Sequence, residues 1–329
     1  MASLTLQLVT WNGAAYLPHL FASLREQTMQ GWDLVVVDNG STDATVATLS
    51  RECARWRASA TPKVQHIRNA ENLGFAVGHH QAFACSTSAF VQLINQDVAL
   101  APDYLARCFA FFQTHPNTAA VQGALCRWDF PTQTRTDEID SLGLLVRRSR
   151  QVVELGAGEE YGSVTFGEVF GVSGALPMYR RAALQAVAHD GEVLDASFFS
   201  YKEDVDLAYR LRSAGWRAFV IPAARAWHDR TAAAHRKRRH RSAIERRLSY
   251  RNHLLTLVKN EHRATLRADV VPILLHEAQK LFYLAATEWG TLRALRDLPR
   301  LVPVMLEKRR KIMERYCVAP EVIGRWFTA

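Results

Sequence analysis

The stretch Leu34-Val35-Val36-Val37-Asp38-Asn39-Gly40-Ser41-Thr42-Asp43 decides the fold. Four apolar residues in a row, three of them β-branched, read as a short strand buried on both faces, the kind that parallel sheets contain. The run stops at Asp38 in a cluster of turn formers. A helix through Val46, Leu49 and Cys53 follows, with Ser41 or Thr42 as its expected cap. Upstream, Leu4–Thr10 alternates as a first strand, and Tyr16, Leu17, Leu20, Phe21 and Leu24 recur at helical spacing within residues 14–27. Downstream, residues 64–67 read as a third strand, 74–85 as a turn and helix, and Phe90–Ile94 as a fourth strand. Strands and helices that alternate in this way predict an open, mostly parallel α/β sheet.

Beyond this half the pattern changes. Residues 123–221 are mixed, with strand-like pieces at 152–155 and 218–221, glycines at Gly167, Gly171 and Gly174, and helices at 180–188 and 203–214. After Arg225 helical spacing dominates, at 244–260, 270–289, 292–298 and 302–315. The expected organisation is an α/β domain over 1–230, divided at 122/123 where the pattern changes, followed by a basic helical region over 231–329.

Composition narrows the function classes. The 329 residues are 48% hydrophobic and 22% charged, which excludes a disordered or collagen-like chain. The most apolar long segment, 270–289, is broken by His276, Glu277, Gln279, Lys280 and Glu288, so no spanning helix is expected. The opening MASLTLQLVTW has no basic n-region or cleavage site. The five cysteines (Cys53, Cys85, Cys108, Cys126, Cys317) form no CxxC pair, which argues against a zinc site and for a reducing cytoplasm. Residues 1–224 hold 18 basic and 22 acidic residues, net −4, whereas 225–329 hold 23 and 10, net +13. An acidic body suits a metal and chemistry, and a basic region suits an anionic surface.

Acidic residues meet strand ends at two places, Asp38 and Asn95-Gln96-Asp97, where open α/β sheets collect ligands. Taken alone, Asp38 is equally an Asx-turn residue, and Asp97 equally a turn residue before the next helix. Glu203-Asp204 opens an amphipathic helix, where acids are favourable simply because of the helix dipole. One of these carboxylates facing a cleft could also act as a general base. Asp206 shares with Asp204 a place off the Val205, Leu207, Ala208 and Leu211 face. His228, after a strand read as ending at Pro222, is by itself a structural or exposed histidine, and beside an Asp97 metal site it becomes a ligand candidate.

As a set, these segments resemble the family 2 glycosyltransferases of the GT-A fold. Val9-Thr10-Trp11-Asn12 is similar to the family's opening Thr-Tyr-Asn, and residues 35–43 to its Val-Asp-Asn-x-Ser-x-Asp segment. Asn72-Leu73-Gly74-Phe75-Ala76-Val77-Gly78 is similar to Asn-x-Gly-Phe-Ala-x-Gly, Asn95-Gln96-Asp97 stands in the place of the metal-binding Asp-x-Asp, and Glu203-Asp204 in that of the Glu-Asp motif. The resemblance covers roughly residues 3–230. Tyr250-Arg251-Asn252, Lys259-Asn260 and the helices ending in Lys308-Arg309-Arg310 look like the bacterial rhamnosyltransferase-like subgroup of cell-surface polysaccharide synthesis.

The resemblance implies an inverting enzyme that moves a sugar from a UDP- or dTDP-sugar, dTDP-rhamnose among them, to a lipid-linked or polysaccharide acceptor. Thr10, Trp11, Asn12, Asp38 and Asn39 would line the nucleotide pocket, with Asp38 accepting from the base N3–H. Gly74 and Gly78 would let the backbone approach the nucleotide. Asp97 and His228 would bind Mg²⁺ or Mn²⁺, with Asn95 beside them. Asp204, next to Glu203, would deprotonate the acceptor hydroxyl. Residues 171–174, Gly174 included, would flank the sugar, and Arg251 or the run 235–241 would fold over the diphosphate. Three positions depart from the family pattern: Trp11 replaces Tyr, His80 stands where Asn is common, and Asn95 replaces the first Asp, so few protein groups would hold the metal.

Other classes fit less well. A nucleotide-sugar pyrophosphorylase needs a Gly-rich, basic phosphate loop, which Thr10-Trp11-Asn12-Gly13 lacks. A non-catalytic membrane scaffold on the same fold would tolerate loss of Asp97, Asp204 or His228, and all three are present. No GxGxxG follows the first strand, against a dinucleotide oxidoreductase. The run 235–241 lacks interleaved aromatics, so no nucleic-acid partner is expected. The C-terminal helices suit packing on the body, a second subunit or the inner membrane face, and a homo-oligomer is left open.

Overall fold

The computed structural model describes residues 3–57, 62–163, 165, 167–229 and 242–328. The first half follows the alternation in the sequence: β1 Leu4–Thr10, α1 Leu17–Arg25, β2 Trp32–Asp38, α2 Thr45–Arg57, β3 Val64–Arg68, α3 Phe75–Ala84 and β4 Phe90–Ile94. β1 pairs in parallel with β2 on one side and β4 on the other, and β3 adds to β2, also in parallel. Leu34, Val35, Val36 and Val37 are fully buried, as a strand covered on both faces must be. Ser41 and Thr42 do not cap α2. Ser41 Oγ accepts the Asn12 amide and the Thr42 amide donates to Asn12 Oδ1, so both tie two loops together, and Asp43 Oδ1 takes the Thr45 amide instead.

The second half holds more strand than the sequence showed. After β5 Val98–Leu100 and α4 Tyr104–Thr114 come β6 Thr118–Asp129, β7 Thr134–Ser141, β8 Leu144–Arg147, β9 Val152–Glu154, β10 Gly167–Val169, β11 Met178–Arg180, α5 Arg181–Val187, α6 Glu203–Ser213 and β12 Arg217–His228. The main sheet runs β10-β12-β6-β11-β4-β1-β2-β3, with β5 on β12 and β7 on β6. β11 is antiparallel to both β4 and β6, while β6 and β12 are parallel. β12 does not end at Pro222. The register shifts between Ile221 and Arg225, a bulge that accommodates a residue without an amide donor, and the strand continues to His228. The order of the parallel strands reverses at β1/β4, the position where such sheets gather ligands.

The remaining elements are α7 Ala243–Asn260, α8 Arg263–Thr287, α9 Leu298–Glu314, α10 Pro320–Gly324 and β13 Phe327–Thr328. α7 starts with a capping box between Ser242 and Glu245. α8 starts earlier than the sequence suggested and kinks at Asp269. The last residues return to the body, where β13 pairs with β8. The Arg150 guanidinium, fully buried, holds Glu261 and Asp269 and lies 3.8 Å from the Phe327 ring centre. No described helix is long and apolar enough to cross a membrane. The basic run 235–241 lies outside the described residues.

Polar burial ties the C-terminal helices to α6. Lys259 Nζ, 1% exposed, reaches Asp195 at 2.7 Å and Asp206 at 2.8 Å. Arg210 and Asn260 also bind Asp206, and Lys308 binds Asp195. Burial by itself would raise both carboxyls, but Lys259, with Arg210 at Asp206 and Lys308 at Asp195, draws them below the ordinary Asp range. Their folded pKa values are depressed, so the stability they contribute is present above the unfolded value of about 3.9 and is lost as pH falls toward the folded ones. Urea unfolding should show stability falling below about pH 4 in the native sequence. Lys259→Met strands two buried carboxylates and should cost about 3 kcal/mol at neutral pH, with the acid loss flattened. A neutral-pH cost under about 0.5 kcal/mol would show that the cluster does not hold the helices.

Candidate active site

The carboxyl ends of β1, β2 and β4 are cross-tied before any ligand is considered. Thr10 Oγ1 donates to Gln96 Oε1 at 2.6 Å, and the Trp11 amide donates to the same oxygen at 3.0 Å. Trp11 is exposed and Asn12 has a φ of 51°. Asn39 is fully engaged: its amide nitrogen donates to Asn72 Oδ1 and the Gly74 carbonyl, and its oxygen accepts from Asn69 and the Leu73 amide. It therefore braces the loop after β2 against the 69–74 loop. Asp38 differs. Its side chain is fully buried, Oδ1 accepts the Ser41 amide at 3.2 Å, and Oδ2 has no hydrogen bond, with Arg68 Nε 3.7 Å away. A buried carboxylate oxygen left without a donor is costly, and a ligand N–H would satisfy it.

The two glycines expected to face a nucleotide have nearer reasons to be glycine. A Cβ on Gly74, at φ +89°, would lie 2.6 Å from the Phe199 ring and carbonyl, and one on Gly78 would lie 2.7 Å from Val9. Both are fixed by packing within the chain.

A cleft of about 390 Å³ opens beside this edge. Asn95, Asp97 and His228 line it from the ends of β4 and β12, and Ser173, Gly174, Glu203 and Asp204 line it from the loop before β11 and the start of α6. Glu245 and Ser249 of α7 complete the lining. The structure thus brings together five of the expected residues, Asn95, Asp97, His228, Gly174 and Asp204, with Glu203. Thr10, Trp11, Asn12, Asp38 and Asn39 belong to the neighbouring strand-end loops.

His228 Nε2 lies 3.5 Å from Asp97 Oδ1, and Nδ1 lies 2.9 Å from Asp140 Oδ2. Burial would lower the imidazole pKa, but Asp97 and Asp140 outweigh it and push it up to about 10. The Asp229 amide donates to the Asp97 carbonyl, and Tyr16 Oη donates to Asp229 Oδ2 at 2.7 Å, so the end of β12 is locked to the turn after β4. Among the described residues no group of three His, Cys, Asp or Glu side chains is arranged to hold a metal ion. What is present is a carboxylate oxygen and a ring nitrogen, Nε2, that becomes a donor once a metal displaces its proton, the other ring nitrogen being oriented by a carboxylate. That donor set fits a divalent ion that takes its remaining ligands from a bound phosphate and water.

Asp204 faces this pair from a strained approach. Phe199, Tyr201 and Lys202 all have positive φ, between 65° and 72°, immediately before α6. Asn252 Nδ2 donates to the carbonyls of Phe198, Ser200 and Tyr201, and Arg251 donates to those of Ser197 and Phe198. Arg251 does not line the cleft: its guanidinium holds this loop. Asp204 Oδ2 accepts the Gly174 amide at 3.0 Å, and Oδ1 accepts its neighbour Val205's amide at 2.8 Å. Two backbone donors therefore fix the carboxylate while it stays half-buried. Glu203, buried, has Oε2 without a hydrogen bond, and burial together with the Asp204 charge pushes its pKa up to about 8. Asp206, which the sequence grouped with Asp204, faces inward to Lys259.

Several contributing residues carried little or no signal in sequence. Asp140 is 88 positions from His228, and Tyr16 is 213 positions from Asp229. Asn252 was visible only as part of the Tyr250-Arg251-Asn252 segment. His80 has a structural partner, with Nε2 at 3.2 Å from the Leu194 amide, and burial lowers its pKa so that a neutral acceptor nitrogen is available.

Comparison with known proteins follows the same lines. The chain is 27% identical over 248 residues to the uncharacterized protein y4gI of Sinorhizobium fredii, covering 70% of this chain and 24% of that one. It is 26% identical over 196 residues to the probable glucomannan 4-beta-mannosyltransferase 10 of Arabidopsis thaliana, covering 56% and 31%. The chain spans about a quarter to a third of the length of these curated relatives. Among solved structures, the mannosyltransferase PcManGT from Pyrobaculum calidifontis, in complex with GDP-Man and Mn²⁺, superposes with a TM-score of 0.56 at 16% identity over 95% of this chain and 85% of that one. TarS 1–349 of S. aureus, in complex with UDP, gives 0.55 at 14% identity over 99% and 91%. These likenesses establish the fold as the GT-A type, a mostly parallel sheet flanked by helices with a helical C-terminal region. The sequence pattern of glycosyl transferase family 2 matches residues 6–188, more than half of the chain, and the chain belongs to that family.

Proposed function

We propose that this protein is an inverting, metal-dependent glycosyltransferase that moves a sugar from a nucleoside diphosphate to a hydroxyl of a lipid-linked or polysaccharide acceptor. The observation that carries the reading is one cleft with Asp97 and His228 on one wall and the amide-pinned Asp204 on another. The buried, unsatisfied Asp38 Oδ2 at the adjoining strand end supports a base that presents an N–H donor, as uracil and thymine do through N3 and guanine through N1, with dTDP-rhamnose among the candidate donors. The relatives' mannosyltransferase names, and the UDP and GDP-Man bound to the structural neighbours, support a nucleotide-sugar donor in general.

In this reading Asp97 and His228 Nε2, once its proton is displaced, would hold Mg²⁺ or Mn²⁺, and Asp140 orients the imidazole. A divalent ion there supplies Lewis-acid stabilisation of the leaving diphosphate, worth several kcal/mol. Asp38 accepts the base N–H and sets the donor's register. Asp204 removes the proton of the acceptor hydroxyl, a contribution of roughly 10²–10⁴-fold. Its orientation is fixed beforehand by the Gly174 and Val205 amides, so little reorganisation accompanies the transfer. Glu203, its pKa pushed up by burial and the Asp204 charge, keeps its proton at neutral pH.

A panel of nucleotide sugars, read by thermal shift and by metal-dependent donor hydrolysis, tests the reading and identifies the donor. Asp204→Asn should bind donor almost as the native protein does while turnover falls at least about 100-fold. Retention of more than about a tenth of the native rate would remove Asp204 as the base. EDTA should abolish turnover and Mg²⁺ or Mn²⁺ restore it; full activity in chelator would end the metal role of Asp97 and His228. The raised Glu203 pKa gives a third test. The folded state holds this proton between an unfolded value near 4.5 and about 8, so Glu203 loses the protein stability as pH rises through that window. Glu203→Gln should therefore be more stable than the native protein at pH 8, with no difference at about pH 4. Equal stability of the two at both pH values would show that Glu203 is ionised like an ordinary carboxylate.

A further inference from the structure

α8 is apolar on two opposite sides. Ile273 and Leu284 are buried against the rest of the chain, and Glu277 on the same side bonds His253 of α7 at 2.7 Å. The outward side carries Val271 at 62% exposure, Leu274 at 63%, Leu275 at 59% and Phe282 at 78%, and Trp289, just past the helix end, is 72% exposed. A helix that packs one face against a body ordinarily turns charge to water on the other. Here five large apolar side chains line up outward, far beyond the scattered exposure usual on a monomer surface.

The charges around this face have one sign. Between residues 263 and 300 the exposed charged residues are Arg263, Arg267, Arg293, Arg296 and Arg300. Three of the four acids of the same stretch are turned to arginines, Asp269 to Arg148 and Arg150, Glu288 to Arg246 and Asp297 to Arg247, and Glu277 is hydrogen-bonded to His253, whose pKa burial lowers. A second copy would bring these arginines against one another. The outward apolar positions from Leu281 round to Leu275 also span about 120° of the helix circumference at 3.6 residues per turn, wider than the two-position seam of a helix pair. An apolar layer under an anionic layer matches both features, with Trp289 at the boundary.

We propose that the outward face of α8, with Trp289 and the arginines after it, is a docking surface for an anionic phospholipid bilayer, on which the helix lies in the plane of the interface. No described helix is long and apolar enough to cross a bilayer, and the proposed contact uses the one exposed face of α8. α7, which lends Glu245 and Ser249 to the cleft, is the neighbour of α8, so docking brings the cleft close to the lipid surface. The inference concerns the surface and holds whichever sugar the site transfers.

The test is co-sedimentation of the full chain with vesicles of phosphatidylcholine alone and of phosphatidylcholine mixed with phosphatidylglycerol. The native protein should pellet with the anionic vesicles only, and less so as salt is raised. Leu275→Glu/Phe282→Glu should lower the bound fraction at least about tenfold, since it removes apolar insertion and adds two negative charges. Arg293→Glu/Arg296→Glu, which leaves the apolar residues in place, should lower it as well. Donor thermal shift on the same variants separates loss of the surface from loss of the fold or site. Failure of the native protein to bind anionic vesicles overturns the proposal, as does equal binding by native protein and both variants. So does a dimer seen by sedimentation velocity that Leu275→Glu/Phe282→Glu splits, since α8 would then serve a second copy.

Discussion

The buried carboxylate of Asp206 fixes how α6, and with it one wall of the cleft, is seated. It has no exposure, and Lys259, Arg210 and Asn260 surround it. A carboxylate so far from water is tolerated only because three donors replace the lost hydration. Those donors come from α6 itself and from α7, so the cluster sets both how α6 is rotated and where the C-terminal helices lie. Asp204, two residues earlier and about 200° away around the helix, is thereby turned outward. Two acids that look alike in the sequence are given opposite environments by one ion cluster.

The approach to α6 shows the cost of that placement. Three non-glycine residues in the left-handed region within four positions amount to several kcal/mol of backbone strain, and such strain persists only where the surroundings over-determine it. Asn252 and Arg251 supply that restraint through five carbonyl contacts. The cleft therefore depends on a side chain that never reaches it. On the other wall, Asp140 does the same for His228, and Tyr16 with Asp229 for the end of β12. Each cleft-lining group is held by a partner distant in sequence, which is how a loop-built site gains the rigidity of the sheet beneath it.

The electrostatics divide in the same way. Around the cleft, acids gather and are kept apart by environment: Glu203 is driven toward its neutral form, Asp204 is fixed by amides, and Asp97 is compensated by His228. On α8 and the turns beyond it the acids are paired and the arginines are left facing water. The acidic body and basic C-terminal region counted in the sequence thus become two surfaces of different charge.

What the sequence by itself determined is local. A run such as Leu34–Val37 buries wherever it goes, the alternation with helical segments leaves few sheet topologies, and the motif segments mark which strand ends carry chemistry. The strands β5 to β8, β10 and β11 stayed hidden: β5, β8, β10 and β11 are three or four residues long, and β6 is buried along nearly its whole length and so shows no alternation. Only the tertiary structure decided that Arg251 clamps a loop, that Gly74 is small because Phe199 presses on it, and that Asp206 is buried while Asp204 is not. A side chain's role is set by which donors, charges and surfaces the fold brings within a few ångströms, and those come from anywhere in the chain.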